Sequence, residues 1–340
     1  MNEFPCTNTI EESWYNHPKF VLIFSHFMGL IVFPLHLLGA FCILKRTPLS
    51  MSSNKMTILN LHFWNIVVDC LMNIFVIPCP LFPTVSGYLL GVFNELGVRA
   101  TVQAWVLAVA LSFVCASTVM IFENRFYLLV ARNSRWKLCR PFWMLANIVF
   151  CLGYTLPVVA QVPDQKFAKE VVLSTLPCIP DYLKTIDIIV PTLHGSLFIH
   201  TATVFVLVIF GQLITFTTIL IYQLSSNFGH SMLSKTTRRL QRNLSYTLLL
   251  QTGIPFVYLL LPVSYGVVAI STNFFSLAMN NFVVVLTSLH GLVSTSSMLL
   301  IHHPYRRTVL ALCRRVFGKV KKSKISTMKL LSRGVMESSI

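Results

Sequence analysis

The feature that most constrains this chain is the stretch between Arg242 and Arg306, 63 residues without a single Asp, Glu, Lys or Arg. A single helix of that length would be about 95 Å long at ~1.5 Å per residue, whereas the hydrocarbon core of a bilayer is ~30 Å thick. The stretch therefore predicts two membrane-spanning helices joined by a turn. Ser271, Thr272 and Asn273 are the natural residues for that turn.

Five more apolar stretches of the ~20 residues that a span needs precede this one. The sequence therefore predicts an all-α membrane protein, a seven-transmembrane helix bundle. The predicted spans are residues 20–44, 56–80, 100–122, 141–162, 197–222, 244–270 and 278–302. They form one membrane domain, 20–305, between an N-terminal segment, 1–19, and a basic tail, 306–340. Only 11% of the residues are charged, about half of the usual quarter, which excludes a soluble enzyme.

The distribution of basic residues predicts the orientation of the bundle. The loops and tail on one side carry 22 Lys and Arg residues, and those on the other side carry five. Cytoplasmic loops are the ones enriched in Lys and Arg, so we expect the N-terminus outside and the tail in the cytoplasm of a multi-pass plasma-membrane protein. The net charge of +16 then belongs to cytoplasmic loops, and we expect no nucleic-acid partner.

The start of the tail has an amphipathic pattern. Apolar residues recur at helical spacing, at Val309, Leu312, Cys313, Val316, Phe317 and Val320. This spacing predicts a short cytoplasmic helix that lies on the lipid of the inner leaflet after the seventh span. Cys313 falls on its apolar face and is a candidate for palmitoylation.

Asp69 is the only formal charge in the middle of a predicted span. An acid there is costly, so we expect it to face the bundle interior and to have a partner. His62 and Asn65 lie seven and four residues earlier on the same helix face, which predicts a polar seam. Two interpretations stay open, an ion or water site that biases two helix packings, or a structural hydrogen-bonded acid.

The predicted cytoplasmic end of span three reads Phe122-Glu123-Asn124-Arg125. Glu123 and Arg125 are about 200° apart around a helix, so we expect no direct pair between them. Arg125 contacts a cytoplasmic partner, locks against the sixth span, or is an interfacial arginine that reaches the headgroups. We assign Asp69, Glu123 and Arg125 to a conformational switch. The predicted contacts for a cytoplasmic partner are Arg125, Lys235, Arg238, Arg239 and Arg242.

The sequence contains no phosphate-binding loop, zinc-protease motif or nucleophile elbow. We therefore expect neither an enzyme nor a bound cofactor or metal. Three cysteines, Cys6, Cys79 and Cys178, fall on the predicted outer side, where a disulfide is stable. We favour the pair Cys6–Cys178, with Cys79–Cys178 as the alternative.

Four stretches, taken in order, resemble a known family. They are Leu59-Asn60-Leu61-His62 through Asp69, then Phe122 to Arg125, then Ser234-Lys235-Thr236 followed by Gln251-Thr252-Gly253-Ile254-Pro255, and finally His303-Pro304-Tyr305-Arg306. With the seven spans, they resemble the nematode serpentine chemoreceptors of class h, within the superfamily of G-protein-coupled receptors. Cys6 and Leu176-Pro177-Cys178 also resemble that class.

The resemblance implies a general scheme: a small external ligand, a rearrangement of helices, a heterotrimeric G protein inside and a place in the sensory cilium membrane. The sequence departs from the rhodopsin family, because Asn124 separates the acid from the arginine at the end of span three. The activation lock of that family is therefore not transferred to this chain.

We expect the ligand between spans three, five, six and seven, near their outer ends. The candidate residues are Gln103, Trp105, His200, Thr201, Tyr258, Tyr265, Asn280 and Asn281. This set is aromatic with a few neutral hydrogen-bonding groups, and it predicts a small, neutral or weakly polar ligand. The alternative is a transporter or a ligand-gated channel. One intramembrane acid and an odd number of spans argue against it.

Overall fold

The computed structural model describes residues 14–132, 134–177, 180–225 and 235–315. Within those ranges, seven helices are long and apolar enough to cross a membrane, which confirms the predicted seven-span bundle. In chain order they are α1 (Pro18–Arg46), α2 (Ser52–Cys70), α3 (Ala100–Phe126), α4 (Trp136–Gly153), α5 (Gly195–Ser225), α6 (Lys235–Thr272) and α7 (Leu277–Ile301). The α3 helix is the most buried of the seven, and α4 lies at the periphery.

Two of these helices continue into a wider turn. A π-helical turn extends α2 through Leu71–Phe75, and another extends α3 through Tyr127–Ala131. The second span therefore ends at Phe75, five residues before the bound at residue 80 that hydropathy predicted. Pro78 and Pro80 explain the difference, because they lack the amide hydrogen that a helix requires.

One end of the bundle, which we call the loop end, is covered by short elements. Strand β1 (Pro78–Pro80) pairs antiparallel with β2 (Gly87–Leu89), and Gly87 also bridges to Ile189. Two short helices, Gln165–Thr175 and Asp181–Thr185, complete the cover. The opposite end, where α3 meets α4 and the chain enters α6, is called the basic end.

The loop end contains one of the three cysteines considered for a disulfide. Cys79 on β1 is a buried, free thiol among the described residues, which gives the alternative pair Cys79–Cys178 no support. Burial raises the pKa of this thiol to about 12, which makes it a poor nucleophile near neutral pH. Cys6 and Cys178 lie outside the described residues, and the pair Cys6–Cys178 stays a prediction.

The turn between α6 and α7 lies where the sequence predicted it. The α6 helix ends at Thr272, and Asn273 adopts a left-handed conformation with φ of 52°. Asparagine tolerates this conformation better than most residues with a side chain. The amide of Phe274 donates to the carbonyl of Ala269 at 3.0 Å and closes the turn.

A further helix, α8 (303–315), follows α7 after a bend at His302. Its first turns contact the bundle, because buried Tyr305 and partly buried Val309 pack against the cluster that includes Cys42 and Met298. Cys313 is exposed on this helix. The predicted stripe beyond residue 315 lies outside the described residues.

We predict that the Asn273 turn tolerates glycine but not valine. A β-branched side chain in the left-handed region costs about 1–2 kcal/mol, so Asn273→Val should lower the melting temperature of the purified protein in detergent. Asn273→Gly should leave it unchanged or slightly raised, because glycine adopts this conformation freely. Equal melting temperatures for the two variants would show that the turn has another conformation.

Candidate functional site

An apolar cavity of about 400 Å³ lies among α3, α5, α6 and the segment that follows α4. It extends to the loop end, where Val85 and Ile189 line it. Representative lining residues are Ala108 and Ser112 on α3, Thr155 just after α4, Ala202 and Phe205 on α5, and Phe256 on α6. No Asp, Glu, Lys or Arg among the described residues lines this cavity. Its size and chemistry are those of a site for a small organic ligand.

Two of the eight predicted ligand residues, Trp105 and Thr201, line this cavity. Gln103 is on another face of α3, where its amide donates to the carbonyl of Val98 at 2.7 Å. His200 is exposed, with a ring nitrogen 2.6 Å from the carbonyl oxygen of Ser196 on its own helix.

The remaining predicted residues lie outside the cavity, and three of them hold the loop end together. The Tyr265 hydroxyl donates to the side-chain oxygen of Asn280 at 3.0 Å, and the Asn280 amide donates to the carbonyl of Phe82 at 3.1 Å. The Asn281 amide donates to the carbonyl of Tyr15 at 2.7 Å. These asparagines satisfy loop carbonyls. Tyr258, which is partly buried, does not line the cavity either.

A second cavity of about 400 Å³ adjoins the first at the loop end. It is more polar, with Thr84, Thr175, Ser196 and Asn273 in its wall. Val85 lines both cavities, so the two are neighbours at this side chain.

Asp69 is buried, as predicted, and its partner is a residue that the sequence did not indicate. Its Oδ2 atom lies 2.5 Å from Nε2 of His36 on α1. The other ring nitrogen of His36 lies 3.1 Å from the Thr295 hydroxyl on α7. The contact thus joins α1, α2 and α7 through one imidazole.

The predicted companions of Asp69 lie on the same buried face but bind other groups. Nε2 of His62 is 3.0 Å from the backbone oxygen of His36. The Asn65 amide donates to the Ser294 hydroxyl on α7 at 2.8 Å. The polar seam predicted from α2 therefore exists, and it extends across two neighbouring helices.

Two glycines make room for this seam. A Cβ atom at Gly39 would lie 2.7 Å from the ring of His62. A Cβ atom at Gly291 would overlap the Asp69 carboxylate. Because glycine has no side chain beyond hydrogen, α1 and α7 can approach the polar residues of α2 closely at these two positions.

The seam also contains buried polar atoms that have no hydrogen-bond partner in the described part of the chain. They are Ser25 Oγ, Asn65 Oδ1, Asp69 Oδ1, both amide atoms of Asn73, Ser288 Oγ and His290 Nδ1. Each such atom costs about 1–3 kcal/mol, so this packing is stabilised less than a fully hydrogen-bonded one. No group of three or more His, Cys, Asp or Glu side chains in the described ranges could hold a metal ion.

At the basic end, Glu123 is fully buried and paired. Its carboxylate accepts from Arg140 Nε at 2.9 Å and from the Trp136 indole at 2.8 Å, both near the start of α4. Arg140 also donates to the Asn124 side chain at 3.1 Å, and its guanidinium lies 4.4 Å from the centre of the Tyr127 ring. From the sequence alone, Arg140 was only one of the basic loop residues that predict the orientation, and its pairing with Glu123 was not predicted.

Arg125 is buried too, with 3% of its surface exposed. Its guanidinium lies against the Asn54 side chain of α2, whose amide oxygen accepts from it when turned toward it. In this conformation Arg125 therefore neither faces the headgroups nor offers an exposed contact to a partner. Lys235, Arg238 and Arg239 begin α6, and Arg242 is exposed.

Residues 16–315 match the family described as serpentine type 7TM GPCR chemoreceptor Srh. The chain is also similar to serpentine receptor class H-72 of Caenorhabditis elegans. The two are 27% identical over 302 residues, which cover 88% of this chain and 86% of that protein.

We predict that Gly291→Ala destabilises the bundle. The added methyl group overlaps the Asp69 carboxylate, and overpacking of this kind costs about 1–3 kcal/mol. Gly211→Ala on α5 is the matched control, because a Cβ atom there meets nothing within 4 Å. The melting temperature of the purified protein should fall for the first variant and not for the second. Equal values would place the Asp69 carboxylate away from Gly291.

Proposed function

Since the chain belongs to the Srh family of serpentine seven-transmembrane chemoreceptors, we propose that it binds a small external molecule and activates a heterotrimeric G protein. The observation that carries the proposal is the apolar cavity of about 400 Å³ within the bundle. A cavity bounded by several helices is where bundle proteins commonly hold a ligand. As a member of a receptor family, the protein is not expected to be an enzyme.

In this proposal the loop end faces the outside of the cell and the basic end faces the cytoplasm. The excess of Lys and Arg at the basic end supports this orientation. We place the protein in the plasma membrane, in a sensory cilium. The exposed side of α8, with Cys313 as a candidate palmitoylation site, then faces the inner leaflet.

An aromatic column supports a route from the ligand to the G protein. Phe205 and Phe256 line the cavity, and they belong to a packed cluster that continues to Phe122, Phe216 and Trp136. The Trp136 indole donates to Glu123 at 2.8 Å. A ligand that shifts α5 or α6 would therefore change the packing around the Glu123–Arg140 pair. Two packings of the bundle, each favoured by a different set of contacts, are sufficient for a receptor.

The G protein is proposed to contact Arg242 and the basic residues at the start of α6. Arg125 is buried against α2 in this conformation, so we propose that it becomes a contact only after α3 and its neighbours rearrange. The polar seam around Asp69 and His36 is the second element of the proposed switch. Its unpaired buried atoms leave other packings close in free energy.

The alternative function of a transporter or a ligand-gated channel has less support. Such a protein needs charged or ion-coordinating groups along its pathway. The described lining of the cavity has no formal charge.

We predict that Ala202→Phe abolishes the response to ligands. The added ring occupies the cavity that Ala202 lines, so a ligand of the proposed size no longer fits. Ala146→Phe on α4 is the matched control, because Ala146 is exposed and does not line the cavity. The measurement is G-protein activation in cells that express each variant, challenged with a chemically diverse panel. A full response from Ala202→Phe at normal surface expression would contradict the proposed site.

We predict that Arg140→Gln raises basal signalling severalfold. The substitution leaves the buried Glu123 carboxylate without its cation, which destabilises the resting packing of α3 against α4. Arg135→Gln is the control, because Arg135 is exposed and forms no ion pair among the described residues. Basal G-protein activity is compared at equal surface expression. Unchanged basal activity would make Glu123–Arg140 a structural pair only.

A further inference from the structure

Three hydroxyl groups in the wall of the apolar cavity are occupied by hydrogen bonds to backbone carbonyls. The Ser112 hydroxyl donates to the carbonyl of Val109 at 2.7 Å. The Tyr154 hydroxyl donates to the carbonyl of Ala108 at 3.1 Å, and the Thr287 hydroxyl donates to the carbonyl of Val283 at 2.9 Å. None of these three hydroxyl hydrogens is left for a ligand.

Two other lining residues, Trp105 and Thr155, differ from these three in their hydrogen bonding. The indole Nε1 of Trp105 and the hydroxyl of Thr155 are buried atoms with no hydrogen-bond partner in the described part of the structure. An unpaired buried donor carries a desolvation cost, which a ligand that pairs with it removes. Both groups can donate, and an indole nitrogen can only donate. The cavity therefore offers hydrogens and requires an acceptor.

Trp105 lies on α3, and Thr155 lies in the turn that follows α4. Tyr154, the neighbour of Thr155, bonds to the carbonyl of Ala108 at 3.1 Å. Ala108 is three residues from Trp105 along α3, so it lies about one turn away on the same face. This contact joins the Thr155 end of α4 to the Trp105 face of α3.

We propose that the cavity selects an uncharged molecule with an acceptor oxygen and an apolar skeleton, for which a ketone or an ester is the simplest form. The oxygen accepts from Trp105 Nε1, and the Thr155 hydroxyl is the second donor. A carbonyl oxygen has two lone pairs and brings no hydrogen that needs an acceptor. The skeleton packs against Phe205 and Phe256. This inference rests on the proposed function, because it takes the cavity to be the ligand site.

Charged relatives of such molecules are excluded on physical grounds. A carboxylate or an ammonium group in this cavity would be a buried charge without a counterion, since no charged side chain lines the described wall. A hydrocarbon of equal length enters without that cost but leaves Trp105 unpaired. The expected order of affinity is therefore ketone, then hydrocarbon, with carboxylate and amine last.

The test is a binding measurement on the full-length receptor, purified into lipid nanodiscs. Thermal stabilisation by increasing ligand concentration gives a Kd without any need for a G protein. The probes are a series of methyl alkyl ketones, with n-octane, octanoate and octylamine as matched compounds for methyl hexyl ketone. The ketones should bind more tightly than octane, and the two charged compounds should not stabilise the receptor.

Trp105→Phe removes the N–H group and keeps an aromatic ring. It should weaken ketone binding about tenfold and leave octane binding nearly unchanged, so the ratio of the two affinities separates the hydrogen bond from cavity size. Thr155→Val should weaken ketone binding severalfold. Trp64→Phe is the matched control, because Trp64 stacks on Phe113 with ring centres 4.3 Å apart and does not line the cavity.

Three results would overturn the inference: no stabilisation by any ketone of the series, octane binding as tight as ketone binding, or a ketone-to-octane ratio that Trp105→Phe does not change. The proposed function is judged separately by signalling in cells. Ketone binding without G-protein activation would contradict the proposed function and leave the ligand class standing. Activation of the unmodified receptor by an amine or a carboxylate, without ketone binding, would contradict the ligand class and leave the proposed function standing.

Discussion

The contact between Asp69 and His36 is the interaction on which the arrangement of α1, α2 and α7 depends. A carboxyl group in the middle of a span is tolerated only where protein surrounds it. His36 supplies one partner, at 2.5 Å, and Thr295 and His62 tie the same histidine region to α7 and α2. Gly39 and Gly291 are then required, because any side chain at either position would displace the polar group that the seam buries.

The bundle consequently has two halves with opposite chemistry. The contacts among α1, α2 and α7 are rich in histidine, asparagine and hydroxyl groups, whereas α3 to α6 enclose an apolar cavity and an aromatic column. The α3 helix belongs to both halves, since Asn60 of α2 donates to Ser117 at 2.7 Å while Trp105 lines the cavity. A change on either side of α3 therefore acts on the other, and Glu123 lies where α3 ends.

The sequence predicted the parts of this structure that depend on one helix at a time. Span lengths follow from hydropathy, because each crossing needs its own apolar stretch. The position of the turn near Asn273 follows from the length of the uncharged stretch, and the interior position of Asp69 follows from the cost of a charge that faces lipid. None of these inferences requires knowledge of which helix is the neighbour.

The parts that the sequence did not predict depend on pairs of helices. His36 lies on another span, 33 residues before Asp69, so nothing in the local pattern marked it as the partner of Asp69. Arg140 was hidden among the basic residues that orientation alone explains. Polar side chains were poor markers of the cavity, because Asn280 and Asn281 serve loop carbonyls. Tyr154 and Thr155, which follow α4, line the cavity, and the sequence analysis predicted neither of them.

Val85 lines both the polar and the apolar cavity, and this position has a consequence for the proposed ligand. A side chain at the border of the proposed site is close to the bound molecule as well as to the second cavity. A substitution at Val85 is therefore expected to change the affinity together with the rates of arrival and departure. A substitution at Thr84, which lines only the polar cavity, leaves the contacts of the bound molecule intact.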